Sequence, residues 1–228
     1  MRGKRNSVYK CGHDTRRHPL AHQSHPRLRR LAAPRGGRRG PAPFRGPLGI
    51  YLPEDADARL QAWGQPHGGD DPAALRNRAI VALFLGTGVT ALEGRTARRE
   101  DLQPDAAPPY LRVPAHGARD NRTIHLGAFA VPILTAWCVR RQTLSVVGDL
   151  VFSLQASGEA ITDISLGKIV RAALLAIDFE AQDMSPRVLR NTYCRRLLLA
   201  GRNRDEVSKL LGLASTRTCD RIRATIGA

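Results

Sequence analysis

The segment SPRVLRNTYCRRLLLAG, residues 185–201, combines the start of a helix with closely spaced arginines. Ser185 can cap the helix, and Pro186 suits its first position. Arg187 and Arg190 follow three residues apart, which places them on one face of the helix. Two guanidinium groups on one face can hold several oxygen atoms of one anion, so the pattern predicts an anion site. The alternative is an internal ion pair with one of three nearby acids: Glu180, Asp183 or Asp205.

The cysteines show no pattern that predicts a disulfide framework or a metal site. The four residues are scattered along the chain without paired spacing: Cys11, Cys138, Cys194 and Cys219. We therefore predict free thiols in a reducing compartment. Histidines follow Cys11, but their spacing fits no standard zinc finger, and we predict neither a metal nor another cofactor.

The charge is strongly positive and unevenly distributed. The chain carries a net +16, and residues 1–48 hold thirteen basic residues against Asp14 alone, which is +12 of that total. Such an excess indicates a polyanionic partner, because lysine and arginine gain from counterion release on nucleic acid. Residues 1–48 are rich in Pro, Gly and Arg and have little to bury, so we predict a disordered basic arm. This arm either grips phosphate or is a non-functional leader.

The composition also sets limits on where the protein acts and on what it binds. No apolar run reaches the roughly 18 residues of a membrane span, and the first residues lack the apolar stretch of a secretory signal. We therefore expect a cytoplasmic, nucleoid-associated protein that has no membrane partner and no small-molecule substrate.

Residues 49–228 have the pattern of a folded domain that is mainly α-helical with a small antiparallel β-sheet, an α+β class. Helical periodicity and caps predict helices in LPEDADARLQAW, in DPAALRNRAIVALFLGTG, which ends at Gly86 and Gly88, and in AFAVPILTAWCVRRQTL. YLRVP and RTIHL alternate around HGARDN and predict a hairpin, and LVFS predicts one more short strand. Four more helices are predicted in DISLGKIVRAALLAID, SPRVLRNTYCRRLLLAG, NRDEVSKLLG and STRTCDRIRATIG.

The order of these motifs resembles the catalytic domain of tyrosine recombinases, the phage integrase family. The resemblance spans roughly residues 49–222, and its strongest pieces are RNRAIVALFLGTGVTALEG, REDL, SPRVLRNTYCRRLLLAG and DEVSKLLGLAS. It implies a domain that acts on duplex DNA. Members of the family cut one strand with a tyrosine, while two arginines bind the scissile phosphate and a hairpin lysine protonates the leaving oxygen.

This sequence departs from the family pattern at most of the catalytic positions. The first arginine is replaced by Thr90, whereas the following acid is kept as Glu93. The hairpin lysine falls on His116, or on Arg119 if the turn is longer. The family motif H-x-L-R-H reads RVLRN, so Arg190 is the retained arginine and Arg187 replaces a histidine. The remaining replacements are Leu213 for a histidine or tryptophan, and Ile222 for the tyrosine nucleophile.

No other residue takes the place of the nucleophile in the sequence. None of the four tyrosines follows the arginine helix, and Cys219 lies three residues before the nucleophile position, nearly one turn away. Because a covalent mechanism needs its nucleophile, we expect that the chain does not cut DNA by itself. The candidate nucleic-acid contacts are Arg187, Arg190, Arg119 and Arg195, and His116 is the candidate at the lysine position.

Three functional hypotheses stay open at this stage. The first is a catalytically inactive, DNA-binding family member linked to DNA recombination and the integration of mobile elements. It would act either as an accessory to another recombinase protomer or as a decaying copy. The second is an active site-specific recombinase that a partner completes in trans. The third is a basic, RNA-associated structural protein that reuses the fold.

Overall fold

A computed structural model of the chain describes residues 50–117, 119–153 and 157–226. The predictions made for the basic arm, residues 1–48, and for Cys11 with its neighbouring histidines lie outside these ranges.

The first two predicted helices are confirmed as α1, Glu54–Trp63, and α2, Pro72–Thr87. The Asp71 side chain caps α2 and accepts a hydrogen bond of 2.7 Å from the amide of Ala74. The helix ends at Gly88, which adopts a left-handed conformation with φ of 62°. Gly86, which was also predicted to end α2, lies inside the helix. A Cβ added there would lie 3.2 Å from the Cβ of Ala130, so the glycine allows the close approach of the neighbouring element.

Three short antiparallel strands form the sheet: β1 (Leu102–Gln103), β2 (Tyr110–Val113) and β3 (Arg122–His125), in the order β1-β2-β3. The hairpin β2–β3 confirms the prediction, and its register pairs the buried Leu111 with the buried Ile124. The prediction of a strand in LVFS, residues 150–153, is wrong. That segment makes single bridges to two different partners, Leu150 to Arg98 and Ser153 to Ala160, so no ladder forms.

The remaining helices agree with the predicted ones. A single 3-10 turn, Ala128–Ala130, leads into α4 (Val131–Thr143), and α5 spans Asp163–Ala176. Helices α6 (Pro186–Leu199), α7 (Arg204–Leu211) and α8 (Arg217–Ala224) follow. The sequence did not predict α3, Ala91–Thr96, which begins directly after its capping residue Thr90. None of the helices in the described ranges has the length and apolar character that a bilayer crossing requires.

Helix α2 is the centre of the core and packs against α4 and α6. Its residues from Ala79 to Thr87 are all buried, so this helix holds the arginine helix α6 in place from one side. The start of the described domain is fixed to α6 and to the residue that follows α8 by three hydrogen bonds of 2.8 Å each. The Leu52 amide donates to Thr192 Oγ1, the Asn191 side chain donates to the carbonyl of Ile50, and the Tyr51 hydroxyl donates to Thr225 Oγ1.

Candidate nucleic-acid interface

Arg190, the arginine that the sequence singled out, extends from α6 into the space between the ends of α2 and α7. Its guanidinium donates to the carbonyl of Gly88, just past α2, and to the carbonyl of Leu211 at 2.6 Å, the last residue of α7. Two carbonyls at helix ends carry partial negative charge, which suits a cation. Arg190 therefore has a fixed position that does not depend on an ion pair with an acid.

A second group of charges lies beside it and centres on the carboxylate of Glu93, whose side chain is only 4% exposed. Arg122, from β3, donates to Glu93 Oε2 at 2.8 Å. Arg119, from the β2–β3 turn, places its Nη1 3.6 Å from Glu93 Oε1. The side chain of Arg122 is 9% exposed and that of Arg119 is 38% exposed, so one of these cations is buried and the other reaches solvent.

Thr90 and Glu93 form the capping box of α3. Thr90 Oγ1 accepts from the Glu93 amide at 3.3 Å, and Glu93 Oε2 accepts from the Thr90 amide at 2.8 Å. The motif satisfies two amides at the start of the helix and orients the carboxylate toward the hairpin. Thr90, which the resemblance puts at the position of the family's first arginine, thus has a structural role as the cap of α3.

The pKa values of this group follow from burial and from the neighbouring charges. Burial lowers the pKa of Arg190 to about 10; Glu93 opposes this shift, and Arg122 and Arg119 add to it. Burial alone would raise the pKa of Glu93, but the hydrogen bonds from Arg122 and Thr90 outweigh it, so the pKa lies below its ordinary value. At neutral pH the cluster therefore holds three cations and one anion, a net charge of +2.

An open cavity of about 340 Å³ lies next to this cluster, between the β2–β3 turn and the end of α7. Its lining includes the cations Arg119, Arg122 and Lys209, the acid Asp120, and Gly212 and Leu213 at the end of α7. Arg122 Nη1 and Glu93 Oε1 are buried without a hydrogen-bond partner among the described residues. The surplus of positive charge makes this cavity suited to an anion.

The other predicted contacts are placed differently. Arg187 is exposed and pairs with Asp183, with distances of 2.9 Å from Nε and 2.7 Å from Nη2. This contact is the ion pair that the sequence left open as its alternative, although it does not prevent a phosphate contact. Arg195 lies over the ring of Tyr51 at 5.3 Å from its centre and does not contact the Glu93 cluster.

The exposed His116 begins the tight turn that ends at Arg119, with paired backbone hydrogen bonds of 3.0 and 3.1 Å between the two residues. His116 also lines a smaller cavity of about 190 Å³ together with Glu93. The hairpin therefore brings both alternatives for the lysine position near the Glu93 carboxylate, and Arg119 makes the contact to it.

The positions that would carry the nucleophile are buried. Ile222 is 0% exposed on α8, and Cys219, one turn earlier, is also 0% exposed. Leu213 lines the open cavity and presents an apolar side chain there. Tyr193 is buried, and it packs beneath Gly88, where an added Cβ would lie 2.5 Å from the tyrosine ring.

Sequence reasoning missed Arg122 and Lys209. A signal for Arg122 was available, because it shares a strand face with the buried Ile124 and a charged side chain on an inward face needs a partner. Lys209 had no such signal, since an exposed lysine in the last turn of a helix is ordinary.

Comparisons with known proteins agree with this architecture. The family model described as the phage integrase family matches residues 55–223. The tyrosine recombinase XerC of Mycobacterium bovis (strain BCG / Pasteur 1173P2) is 30% identical over 194 residues, which are 83% of this chain and 60% of the relative. XerC of Neisseria meningitidis serogroup C (strain ATCC 700532 / DSM 15464 / FAM18) is 30% identical over 155 residues, which are 67% of this chain and 48% of the relative. The chain thus spans about half to 60% of the length of the curated relatives it matches.

Solved structures show the same fold. The XerH site-specific recombinase bound to difH substrate, in a pre-cleavage complex, has a TM-score of 0.67 at 22% identity, covering 78% of this chain and 50% of that chain. The XerA recombinase has a TM-score of 0.65 at 20% identity, covering 80% of this chain and 61% of that chain. Together with the family match over most of its length, these similarities show that the chain belongs to the phage integrase family of tyrosine recombinases and has the fold of their catalytic domain.

Proposed function

We propose that this chain binds the phosphate backbone of duplex DNA through Arg119, Arg122 and Arg190, and that by itself it does not cleave the strand. One observation carries the proposal: Arg119 and Arg122 pair with the carboxylate of Glu93 beside an open cavity, and Arg190 lies near enough for the charge of Glu93 to act on it. Within the described part of the chain, this cluster of three arginines and one carboxylate has a surplus of two positive charges. A phosphodiester group would supply the missing negative charge.

The geometry favours phosphate over a generic anion. Arginine presents a planar set of donors that matches two phosphate oxygens at once. Arg119 is the cation of the cluster that reaches solvent, and Lys209 lines the same cavity. The XerH neighbour was solved with its difH substrate, which supports duplex DNA as the source of the phosphate here.

The absence of cleavage is proposed from the residues at two positions. A strand transfer through a covalent bond needs a nucleophile, and the family position holds the buried, apolar Ile222. The first arginine position holds Thr90, which caps α3. Loss of one electrostatic stabiliser of this kind typically slows a reaction about 10²- to 10³-fold. The replacement of the arginine by Thr90 would therefore impair cleavage further, beyond the loss of the nucleophile.

The binding test uses fluorescence anisotropy of a labelled duplex at several salt concentrations. Arg119→Gln removes one phosphate contact, so we expect weaker binding and a slope of log K against log [salt] that is shallower by about 0.9. Arg140→Gln is the matched control, because Arg140 is exposed in the last turn of α4 with no ion pair among the described residues. Equal losses in both variants would contradict the proposed site.

The same assay separates the remaining alternatives for the partner. A structured RNA of equal length that binds more tightly than the duplex would favour the RNA-associated protein. Arg187→Gln distinguishes a phosphate contact, which would flatten the salt slope, from the ion pair with Asp183, which would leave it unchanged. Deletion of residues 1–48 should weaken binding and flatten the slope further if the arm grips phosphate.

Cleavage is tested with a nicked suicide duplex that traps a covalent protein–DNA adduct. We expect no adduct from the chain alone. An adduct formed by the chain alone would overturn the proposal, and an adduct on this chain only in the presence of an active recombinase protomer would establish completion in trans. A mixed complex on DNA without an adduct on this chain would support an accessory role linked to DNA recombination, whereas no mixed complex favours an inactive copy on a mobile element.

A further inference from the structure

Two of the three described cysteines form a buried pair that the sequence gives no sign of. Cys194 Sγ and Cys219 Sγ lie 3.7 Å apart, and both residues are 0% exposed. The Ser208 hydroxyl lies 3.3 Å from Cys219 Sγ and completes the polar surroundings of the pair. Both cysteines are free thiols.

The pair connects α6, which carries Arg190, with α8, which carries Ile222 at the position that the resemblance assigns to the nucleophile. Cys194 lies on α6 one turn after Arg190, and Cys219 lies on α8 one turn before Ile222. A disulfide has an S–S bond of about 2.05 Å, so the sulfur atoms must approach by roughly 1.7 Å. Side-chain rotation and a small shift of one short helix supply a movement of this size.

We propose that Cys194 and Cys219 are a dithiol modification site, which peroxide oxidises to a disulfide that fixes α8 to α6. In the first step one thiolate attacks a peroxide oxygen, so the O–O bond breaks, a sulfenic acid forms and water leaves after protonation. In the second step the other sulfur attacks the sulfenic sulfur, the S–O bond breaks and a second water leaves. The two thiols lose two electrons and two protons, and one hydrogen peroxide becomes two waters.

Burial controls the rate of this reaction. Burial, together with the proximity of Cys219, raises the pKa of the Cys194 thiol well above its ordinary value, while Arg190 opposes that shift. The thiolate is the reactive form, so the closed protein reacts slowly. Local opening of α8, a helix of eight residues, exposes both sulfurs together, and the reaction therefore follows this opening.

The disulfide is expected to stabilise the domain. It closes a loop between positions 25 residues apart, which removes conformational freedom from the unfolded chain. The hydrogen bonds of Arg190 to the Gly88 and Leu211 carbonyls involve neither cysteine. The inference is independent of the proposed function, and its test uses no DNA.

The test treats the full chain with hydrogen peroxide at mildly alkaline pH, blocks the remaining thiols and digests the protein with trypsin without reduction. Cleavage after arginine yields NTYCR, residues 191–195, and TCDR, residues 218–221, so the disulfide appears as one linked peptide of unique mass. We measure the ratio of this linked peptide to all other cysteine pairings. In the folded protein this ratio should be at least about tenfold higher than in the same reaction in concentrated guanidinium chloride.

Cys138→Ser is the matched control, because Cys138 is half-buried on α4 and contacts neither member of the pair. This variant should form the linked peptide as the parent does, whereas Cys194→Ser and Cys219→Ser should not. Pairing with Cys138 or Cys11 at the frequency of the denatured chain would overturn the proposal. Oxidation to sulfinic acid without the linked peptide would overturn it as well.

Thermal unfolding gives a second readout that does not depend on mass. The oxidised Cys138→Ser variant should melt roughly 5–10 °C above its reduced form, and the added reductant should reverse the shift. An unchanged or lower Tm would show that the native packing does not accommodate the bond, which also overturns the proposal.

Discussion

Replacing Glu93 by glutamine tests whether the buried carboxylate holds the arginine cluster together. Glu93→Gln keeps the shape of the side chain and an oxygen that can accept from the Thr90 amide. It removes the negative charge that Arg122 meets at 2.8 Å and Arg119 at 3.6 Å. The change therefore isolates the charge from the packing.

The size of the expected loss in unfolding free energy follows from the burial of Glu93 and Arg122, whose side chains are 4% and 9% exposed. Removing one partner of a buried ion pair typically lowers the free energy of unfolding by about 3–5 kcal/mol, because the other charge stays buried. The glutamine oxygen keeps part of the hydrogen bonding, so we expect about 3 kcal/mol. In a domain of this size that corresponds to a Tm lower by roughly 6–12 °C.

Urea unfolding followed by circular dichroism measures the loss, with Asp149→Asn as the matched control. Asp149 pairs with Arg98 at the surface, and both side chains are more than half exposed. An exposed pair of this kind contributes at most about 1 kcal/mol. In the double variant Glu93→Gln/Arg122→Gln the loss of unfolding free energy should be smaller than the sum of the two single-variant losses. The difference, which is the coupling energy, should be about 1–3 kcal/mol.

The pH dependence of stability gives the sign of the same effect. The pKa of Glu93 is lower in the folded chain than in the unfolded chain, so the unfolded state binds the proton more readily. This contribution is present above the ordinary glutamate pKa and is lost as the pH falls through the folded value. Glu93→Gln should flatten that part of the profile. A loss no larger than that of Asp149→Asn, or an unchanged acid profile, would refute the reasoning.

Two further predictions concern stability and use the same unfolding assay. Gly88→Ala should lower the free energy of unfolding by roughly 2–4 kcal/mol, because Gly88 has a φ of 62° and an added Cβ would lie 2.5 Å from Tyr193 and 2.8 Å from Leu211. Gly167→Ala, at an uncrowded position within α5, should instead raise the free energy of unfolding by roughly 0.5–1 kcal/mol. Arg190→Gln should lose about 2–4 kcal/mol because it leaves the Gly88 and Leu211 carbonyls without their charged donor, while Arg187→Gln, on an exposed side chain, should change stability by less than about 1 kcal/mol. Equal losses at positions 187 and 190 would contradict the assignment of Arg190 as the more buried of the two arginines.

Helix limits were predictable where local chemistry determines them. Asp71 and Ser185 cap their helices as expected, and Gly88 ends α2. Helix α3 was missed although Thr90 and Glu93 have the spacing of a capping box, because six residues give too little periodicity to recognise. LVFS has the composition of a strand, and its bridges depend on partners 52 and 7 positions away that a local pattern does not report.

The site was predictable in part for the same reason. The family pattern located Arg190 and Glu93, but it did not report that Arg187 turns back to Asp183 while Arg190 extends toward α7. Residues that share a helix face begin side by side, and their long side chains then follow different partners. The contact between Cys194 and Cys219 depends on how α8 packs against α6, which neither spacing nor composition encodes.

The hydrogen bonds that fix residues 50–52 to α6 and to the residue that follows α8 have a consequence for synthesis on the ribosome. They join positions 140, 141 and 174 residues apart, so residues 50–52 lack these hydrogen-bond partners until almost the whole domain has been made. At about 5–20 residues per second the nascent chain waits on the order of ten seconds for those partners. The domain therefore closes late, and its early helices depend on remaining soluble in the meantime.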